Sequence, residues 1–396
     1  MKKVLITSYD LEIGGVERSL ISMLNNFDYE NYQVDLLLYS HTGDFMYLIP
    51  DNVNLLSENK SYKFCRQSIK ELILSGRIGL SGGRIAANLI SKIIEKNNNI
   101  TESGYLQMQL IWKYCISFLP CVDKEYDIAI SYLWPHDLVA KKVKAKKKIA
   151  WIHTDYSKLW IEERMDVPIW EQFENIVSIS EDVSNAFLLK YPSLKNKIIL
   201  IENITSPEFI KKLSNELIND FNFKSDDFNI LSVGRLCHAK GYDNAIKALR
   251  RLHDRELTNI KWHVVGYGSD EEMLRGLIKE YGLEDSFILH GKKINPYPYI
   301  KACDLYIQPS RYEGKAVTVS EAKILGKAVL ITNYTTAHSQ LEHGLDGYIT
   351  ELSIDGIVEG VLLLYSDDIL RMKLARKAQE IDYQNKTELN KLYKLL

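Results

Sequence analysis

Short apolar runs rich in β-branched residues alternate along this chain with stretches in which apolar residues return every three or four positions. The runs predict strands at Lys3–Thr7, Gln33–Tyr39, Tyr126–Ser131, Lys148–His153, Asn175–Ile179 and Ile198–Glu202. A second series follows at Asn229–Val233, Lys261–Val265, Phe287–Leu289, Leu305–Gln308 and Ala328–Thr332. Most are apolar at successive positions, as parallel strands buried on both faces are. Strands alternating with helices imply right-handed βαβ units and open α/β sheets. The pattern restarts near residue 228, after a polar, helical stretch from Asn203 to Asp227 that ends in Lys-Ser-Asp-Asp. The expectation is an α/β protein with two doubly wound domains, 1–205 and 206–375. Such sheets bind ligands at the carboxyl ends of their strands, so two facing each other would form a cleft there.

Residues 60–120 break the alternation. Ile85, Leu89 and Ile93, with Ala86, Ile90 and Ile94, make an i, i+4 apolar stripe, and Lys60 to Lys96 holds eight basic residues against two acidic ones. This reads as a helical insertion in the first domain. Near the end of the chain Ile369, Leu370, Leu374 and Ala378 follow a helical period.

Composition narrows the classes. A chain of 396 residues with 46% hydrophobic and 26% charged residues is an ordinary globular protein able to bury two cores. A formal net charge of −2 gives nucleic-acid binding no support. Cys65, Cys115, Cys121, Cys237 and Cys303 are odd in number and include no C-x-x-C pair. They fit a reducing cytoplasm and argue against a disulfide framework or a structural zinc site. The first residues hold too short an apolar run for a signal peptide. The longest apolar stretch, Leu110–Leu119, is broken by Lys113 and falls short of the ~20 residues that span a bilayer. Any membrane contact would be peripheral.

Four constellations can carry chemistry. The segment Ser310-Arg-Tyr-Glu-Gly-Lys-Ala-Val-Thr-Val-Ser-Glu321 follows a strand, with Glu313 and Gly314 in the loop and Glu321 in the helix. A helix N-terminus suits a phosphate, a loop carboxylate suits sugar hydroxyls, and a helix carboxylate suits a ribose. On spacing alone, an ordinary loop with solvated glutamates fits at least as well. The segment Val233-Gly-Arg-Leu-Cys-His-Ala-Lys-Gly241 places Arg235 and Lys240 in a strand-end turn. The two cations suit a diphosphate, or are simply surface charges. Asp10-Leu-Glu-Ile-Gly14-Gly15-Val-Glu17-Arg18 opens a helix after the first strand without matching G-x-G-x-x-G, and Val265-Gly-Tyr-Gly-Ser269 is a weaker loop of the same kind. Each fits a plain tight turn equally. Finally, His153 ends the strand of Ala150-Trp-Ile-His153-Thr-Asp155, facing a ligand or held as a structural histidine. No Asp-x-Asp pair or metal-ligand spacing is evident, and His338, Glu342 and His343 read as loop and helix residues.

Taken together and in this order, with Ala337-His-Ser-Gln-Leu-Glu-His-Gly-Leu-Asp-Gly347 near the end, these pieces resemble retaining glycosyltransferase family 4 of GT-B fold, over nearly the whole chain. The resemblance implies two facing Rossmann-like domains and a terminal helix, 376–396, returning to the first. It implies that Arg235 and Lys240 neutralise the donor diphosphate in place of a metal, so no cofactor is expected. Glu321 would bind the ribose, and Glu313 the donor sugar, near its anomeric carbon. Backbone around Gly314, Lys315 and Ala316 would contact sugar or phosphate. Gly14 and Gly15 would form the diphosphate loop, His153 would lie near the donor sugar, and Lys293 near the nucleobase. Lys315-Ala316 replaces the aromatic or proline common after Glu-Gly, a variant similar to the subgroup that builds bacterial capsular and other surface polysaccharides.

The implied reaction is hexosyl transfer with retention, from a nucleotide sugar, UDP-linked by preference, to a glycan or lipid-linked oligosaccharide. The expected location is the cytoplasm, at the inner face of the membrane if the basic 60–96 segment and Lys141–Lys148 bind anionic lipid. A solvated helix and loop is the plainer reading of that lysine run. A same-fold epimerase or phosphorylase, or a non-catalytic nucleotide-sugar-binding protein, are the competing readings.

Overall fold

The computed structural model describes residues 1–396 apart from 13, 99–103, 219, 220, 222, 314, 315, 382, 384 and 385. The chain divides into two units, Met1–Thr205 with Asn385–Leu396, and Ser206–Gln384. The first is built on seven strands: β1 (Lys2–Ser8), β2 (Tyr32–Leu38), β3 (Asn54–Leu55), β4 (Glu125–Ser131), β5 (Lys144–Ile152), β6 (Asn175–Ser178) and β7 (Ile198–Leu200). They lie parallel in the order β3-β2-β1-β4-β5-β6-β7. The second holds β8 (Phe228–Val233), β9 (Ile260–Val265), β10 (Phe287–Leu289), β11 (Leu305–Gln308), β12 (Val329–Thr332) and β13 (Tyr348–Thr350). These are also parallel, ordered β10-β9-β8-β11-β12-β13. In each sheet the strand order reverses beside the first strand, the switch point at whose carboxyl edge such sheets open a crevice for ligands.

Four features differ from the sequence reading. The edge strands β3 and β13, two and three residues long, have no apolar run of their own to announce them. The lysine run is not a helix followed by a loop: the helix stops at Lys142, and Lys144 already starts β5. Two of its charges are met by the neighbouring strand, Lys144 by Glu125 at 3.3 Å and Lys146 by Asp127 at 2.8 Å. The return to the first unit begins at Asn385 and not at 376, because the helix Asp368–Gln379 buries Leu374 in the second unit's core. And the stripe of Ile85, Leu89 and Ile93 in the helix Ile78–Asn98 faces outward, while Leu80, Gly83, Ala87 and Ser91 are buried.

The rest of the 60–120 region adds the helices Ile69–Leu74 and Gly104–Cys115. Among the described residues no helix is long and apolar enough to cross a membrane.

Candidate functional site

In the second unit, β8 and β11 are neighbours, so their carboxyl-end loops meet. β11 is wholly buried and runs through Gln308 and Ser310 into the loop bearing Glu313. Buried polar groups need partners, and these two find theirs in one place. Glu313 Oε1 accepts from Gln308 Nε2 at 3.0 Å, from Ser310 Oγ at 2.6 Å and from Lys240 Nζ at 2.6 Å. The side chains of Lys240 and Glu313 are only 18% and 11% exposed, so their attraction is weakly screened. Thr336 Oγ1 fixes the backbone by donating to the Glu313 carbonyl at 3.0 Å.

Lys240 ends the short turn His238–Lys240 after β8. Gly241 follows with φ 68°, in the left-handed region, and a Cβ there would collide with the Pro309 carbonyl oxygen. Glycine therefore serves both the turn and the close approach of the two loops. Arg311 staples them: its N–H donates to Ala239 O at 2.7 Å, and its guanidinium forks onto Asp243 at 2.7 and 2.6 Å. Burial pushes the Asp243 carboxyl up, but the guanidinium overrides it and holds the group below its usual range. The loop after β9 closes on the same place, since a Cβ on Gly268 would collide with the Leu236 carbonyl oxygen.

Arg235 projects from this assembly. It is exposed, and among the described residues no carboxylate pairs with it. Glu321, in the helix Val317–Ile324, is buried and accepts from Tyr297 OH at 2.9 Å. Ala316 N–H donates to Gln340 Oε1 at 3.1 Å. Lys293 is half-buried, its Nζ 6.0 Å from the Tyr299 ring centroid. Gly314 and Lys315 lie outside the described residues. Of His338, Glu342 and His343, the last two have structural work: Glu342 N–H donates to Asp346 at 2.7 Å, and His343 Nδ1 accepts from Ile349 N–H at 3.0 Å, while His338 lies exposed in the turn Ala337–Ser339.

The first unit holds Gly14, Gly15 and His153. Gly14 caps the helix that Gly15 begins, but the Glu17 carboxylate already lies against Gly14, where a Cβ would collide with it. Burial raises the pKa of Glu17 and of nearby Asp10, which pairs with Arg66. The Glu17 carboxylate thus lies beside the turn that the sequence reading gave to a phosphate. His153 follows β5, its Nε2 3.0 Å from the Tyr132 carbonyl oxygen. Burial lowers its pKa to about 3, so it is neutral at pH 7. It lines a cavity of about 50 Å³ with Tyr105, Trp134, Trp151 and Tyr156.

Sequence reasoning missed Gln308, Ser310, Thr336, Tyr297 and Gln340. Only Gln308 and Ser310 left a trace, as polar residues ending an apolar strand.

Two parallel-sheet, Rossmann-like units make up the GT-B fold, which this chain shares with solved glycosyltransferases. Anabaena HepE, solved in complex with UDP and glucose, superposes with a TM-score of 0.64 at 17% identity, over 100% of this chain and 99% of that one. Staphylococcus aureus TarM gives 0.66 at 15%, over 100% and 99%. WaaG, a glycosyltransferase involved in lipopolysaccharide biosynthesis, gives 0.56 at 14%, over 98% of each chain. Residues 214–381, most of the second unit, match the family Glycosyl transferases group 1. Among similar proteins, an uncharacterised glycosyltransferase of Haemophilus influenzae is 25% identical over 92% of this chain and 91% of its own. A Methanocaldococcus jannaschii glycosyltransferase is 29% identical over 38% of this chain, a match that spans 37% of that protein. A Campylobacter jejuni N-acetylgalactosaminyltransferase acting on a diphospho-undecaprenol-linked sugar, by its name, is 30% identical over 43% of this chain and 46% of its own.

Proposed function

We propose that the protein is a retaining glycosyltransferase that moves a sugar from a nucleotide sugar, UDP-linked by preference, to a lipid-linked glycan on the cytoplasmic side of a bacterial membrane, for a surface polysaccharide. The carrying observation is Glu313 held in place by Lys240, Ser310 and Gln308 beside exposed Arg235, in the unit that matches the glycosyl transferase family. The names of the relatives support the pathway: O-antigen biosynthesis for an Escherichia coli protein and poly(ribitol-phosphate) for one of Staphylococcus aureus.

In this reading the bond between the anomeric carbon and the diphosphate oxygen breaks as the acceptor oxygen bonds from the same face. The leaving phosphate takes the acceptor's proton. Arg235 and Lys240 stabilise the charge growing on that phosphate, which makes a metal unnecessary. Glu313 holds sugar hydroxyls and Glu321 the ribose. Purified protein incubated with a panel of nucleotide sugars and a lipid-linked acceptor, with and without EDTA, tests this. Nucleotide release unaffected by EDTA, and a product of unchanged anomeric configuration by NMR, are expected. Strict dependence on added Mn²⁺, or an inverted product, would overturn the corresponding part, and no release from any donor would overturn the whole.

A further inference from the structure

The helix Ile78–Asn98 buries Leu80, Gly83, Ala87 and Ser91 on one side. A surface helix should present polar residues on the other side. This one presents Ile78, Ile85, Leu89 and Ile93, each between 44% and 76% exposed. Their spacing of seven, four and four residues puts them in one stripe, about 22 Å long at 1.5 Å per residue. The stripe continues past the helix. Leu74, exposed, ends the preceding helix, and Phe118, exposed, lies over Gly79, where a Cβ would collide with its ring. A contiguous apolar surface of this kind marks a docking site.

Charge identifies the occupant. Lys70 stands one turn before Leu74, and Lys92 and Lys96 stand beside Leu89 and Ile93 on the outward face. All three are exposed, and none forms an ion pair among the described residues. Of the eight basic residues between Lys60 and Lys96, Lys63 and Arg66 pair with Glu58 and Asp10, so the unpaired charge of the segment includes that of Lys70, Lys92 and Lys96. Aliphatic side chains flanked by unpaired lysines suit a helix lying in the interface of an anionic bilayer, apolar face down and ammonium groups among the headgroups. In the other lysine-rich segment, Lys144 and Lys146 already pair with Glu125 and Asp127 of the neighbouring strand.

We infer that the outward face of the helices Ile69–Leu74 and Ile78–Asn98, with Phe118, docks the protein onto anionic lipid. The inference stands apart from the transferase reading, since vesicle binding is measured without donor or turnover. The full chain should sediment with vesicles containing phosphatidylglycerol and stay in solution with pure phosphatidylcholine. Ile85→Glu/Leu89→Glu should weaken the partition at least about tenfold, and Lys92→Glu/Lys96→Glu should weaken it and its salt dependence. Lys144→Gln/Lys146→Gln should bind as wild type. Circular dichroism and a thermal melt check folding, with Leu89→Ser in reserve should the double glutamate variant unfold. Wild-type protein that ignores anionic vesicles, or an aliphatic-face variant that binds them normally, overturns the inference. So does a lipid-free dimer that Ile85→Glu/Leu89→Glu converts to monomer without any vesicle binding, which would assign the face to a second copy of the chain.

Discussion

Three donors converge on one oxygen of Glu313, and one of them, Lys240, is the cation read from sequence as a diphosphate ligand. With Gln308 and Ser310 already holding the carboxylate, Lys240 can turn toward a phosphate and leave Glu313 in position. Replacing Lys240 by alanine should cost about 2–4 kcal/mol of transition-state stabilisation, read as kcat/KM for nucleotide release. Near wild-type turnover would remove Lys240 from the chemistry. His136 offers a second prediction at this scale. It is buried, with Nδ1 2.8 Å from Ser131 Oγ, and burial, aided by His153, lowers its pKa to about 3 from an ordinary 6.5. Between those values the unfolded chain binds a proton that the folded one refuses, so this group's contribution to stability falls as pH falls through 6.5 toward 3. The loss is at most about 1.4 kcal/mol per pH unit. Relative to His136→Gln, the wild type should therefore be less stable at about pH 5 than at about pH 7 in denaturant titrations, and a constant difference would contradict this.

At the scale of elements, the site depends on how closely the loops after β8 and β11 approach. Gly241→Ala must strain a φ of 68° and push away the Pro309 carbonyl. A loss of about 1–3 kcal/mol is expected from the strain alone, seen as a lower melting temperature together with weaker donor binding by calorimetry. An unchanged melt would mean that the loops separate freely. Strands such as β11, apolar at every position but the last, were legible in sequence because burial on both faces leaves no polar positions to blur the pattern. β5 was legible only in its apolar half. Its lysines are tolerable in a strand because Glu125 and Asp127 stand on the adjacent one, a fact that depends on strand order.

At the scale of the whole molecule, the chain ends where it began. The helix Lys386–Leu395 packs on the first unit: Tyr393 stacks on Tyr32 with centroids 5.5 Å apart, Glu388 accepts from Glu202 N–H at 2.8 Å, and Lys2 Nζ reaches the Leu396 carbonyl at 2.7 Å. Leu392 is fully buried there. Leu392→Ala should cost about 2–5 kcal/mol, lowering the melting transition of the first unit while nucleotide binding to the second persists. Equal loss in both, or none, would contradict the assignment of this helix.

The sequence by itself determined the parallel α/β character of both units, most of their strands, and the strand-end segments holding Arg235, Lys240, Glu313 and Glu321. It could do so because buried parallel strands and the glycine turns after them are local patterns. Only the tertiary structure decided which polar groups hold Glu313 and Glu321, that Glu17 covers the Gly14 turn, and that the stripe of Ile85, Leu89 and Ile93 faces outward. Periodicity reports that a helix has an apolar face but not what covers it. Hydrogen-bond partners such as Tyr297 and Glu321, 24 residues apart, are brought together by strand order, which no local pattern encodes.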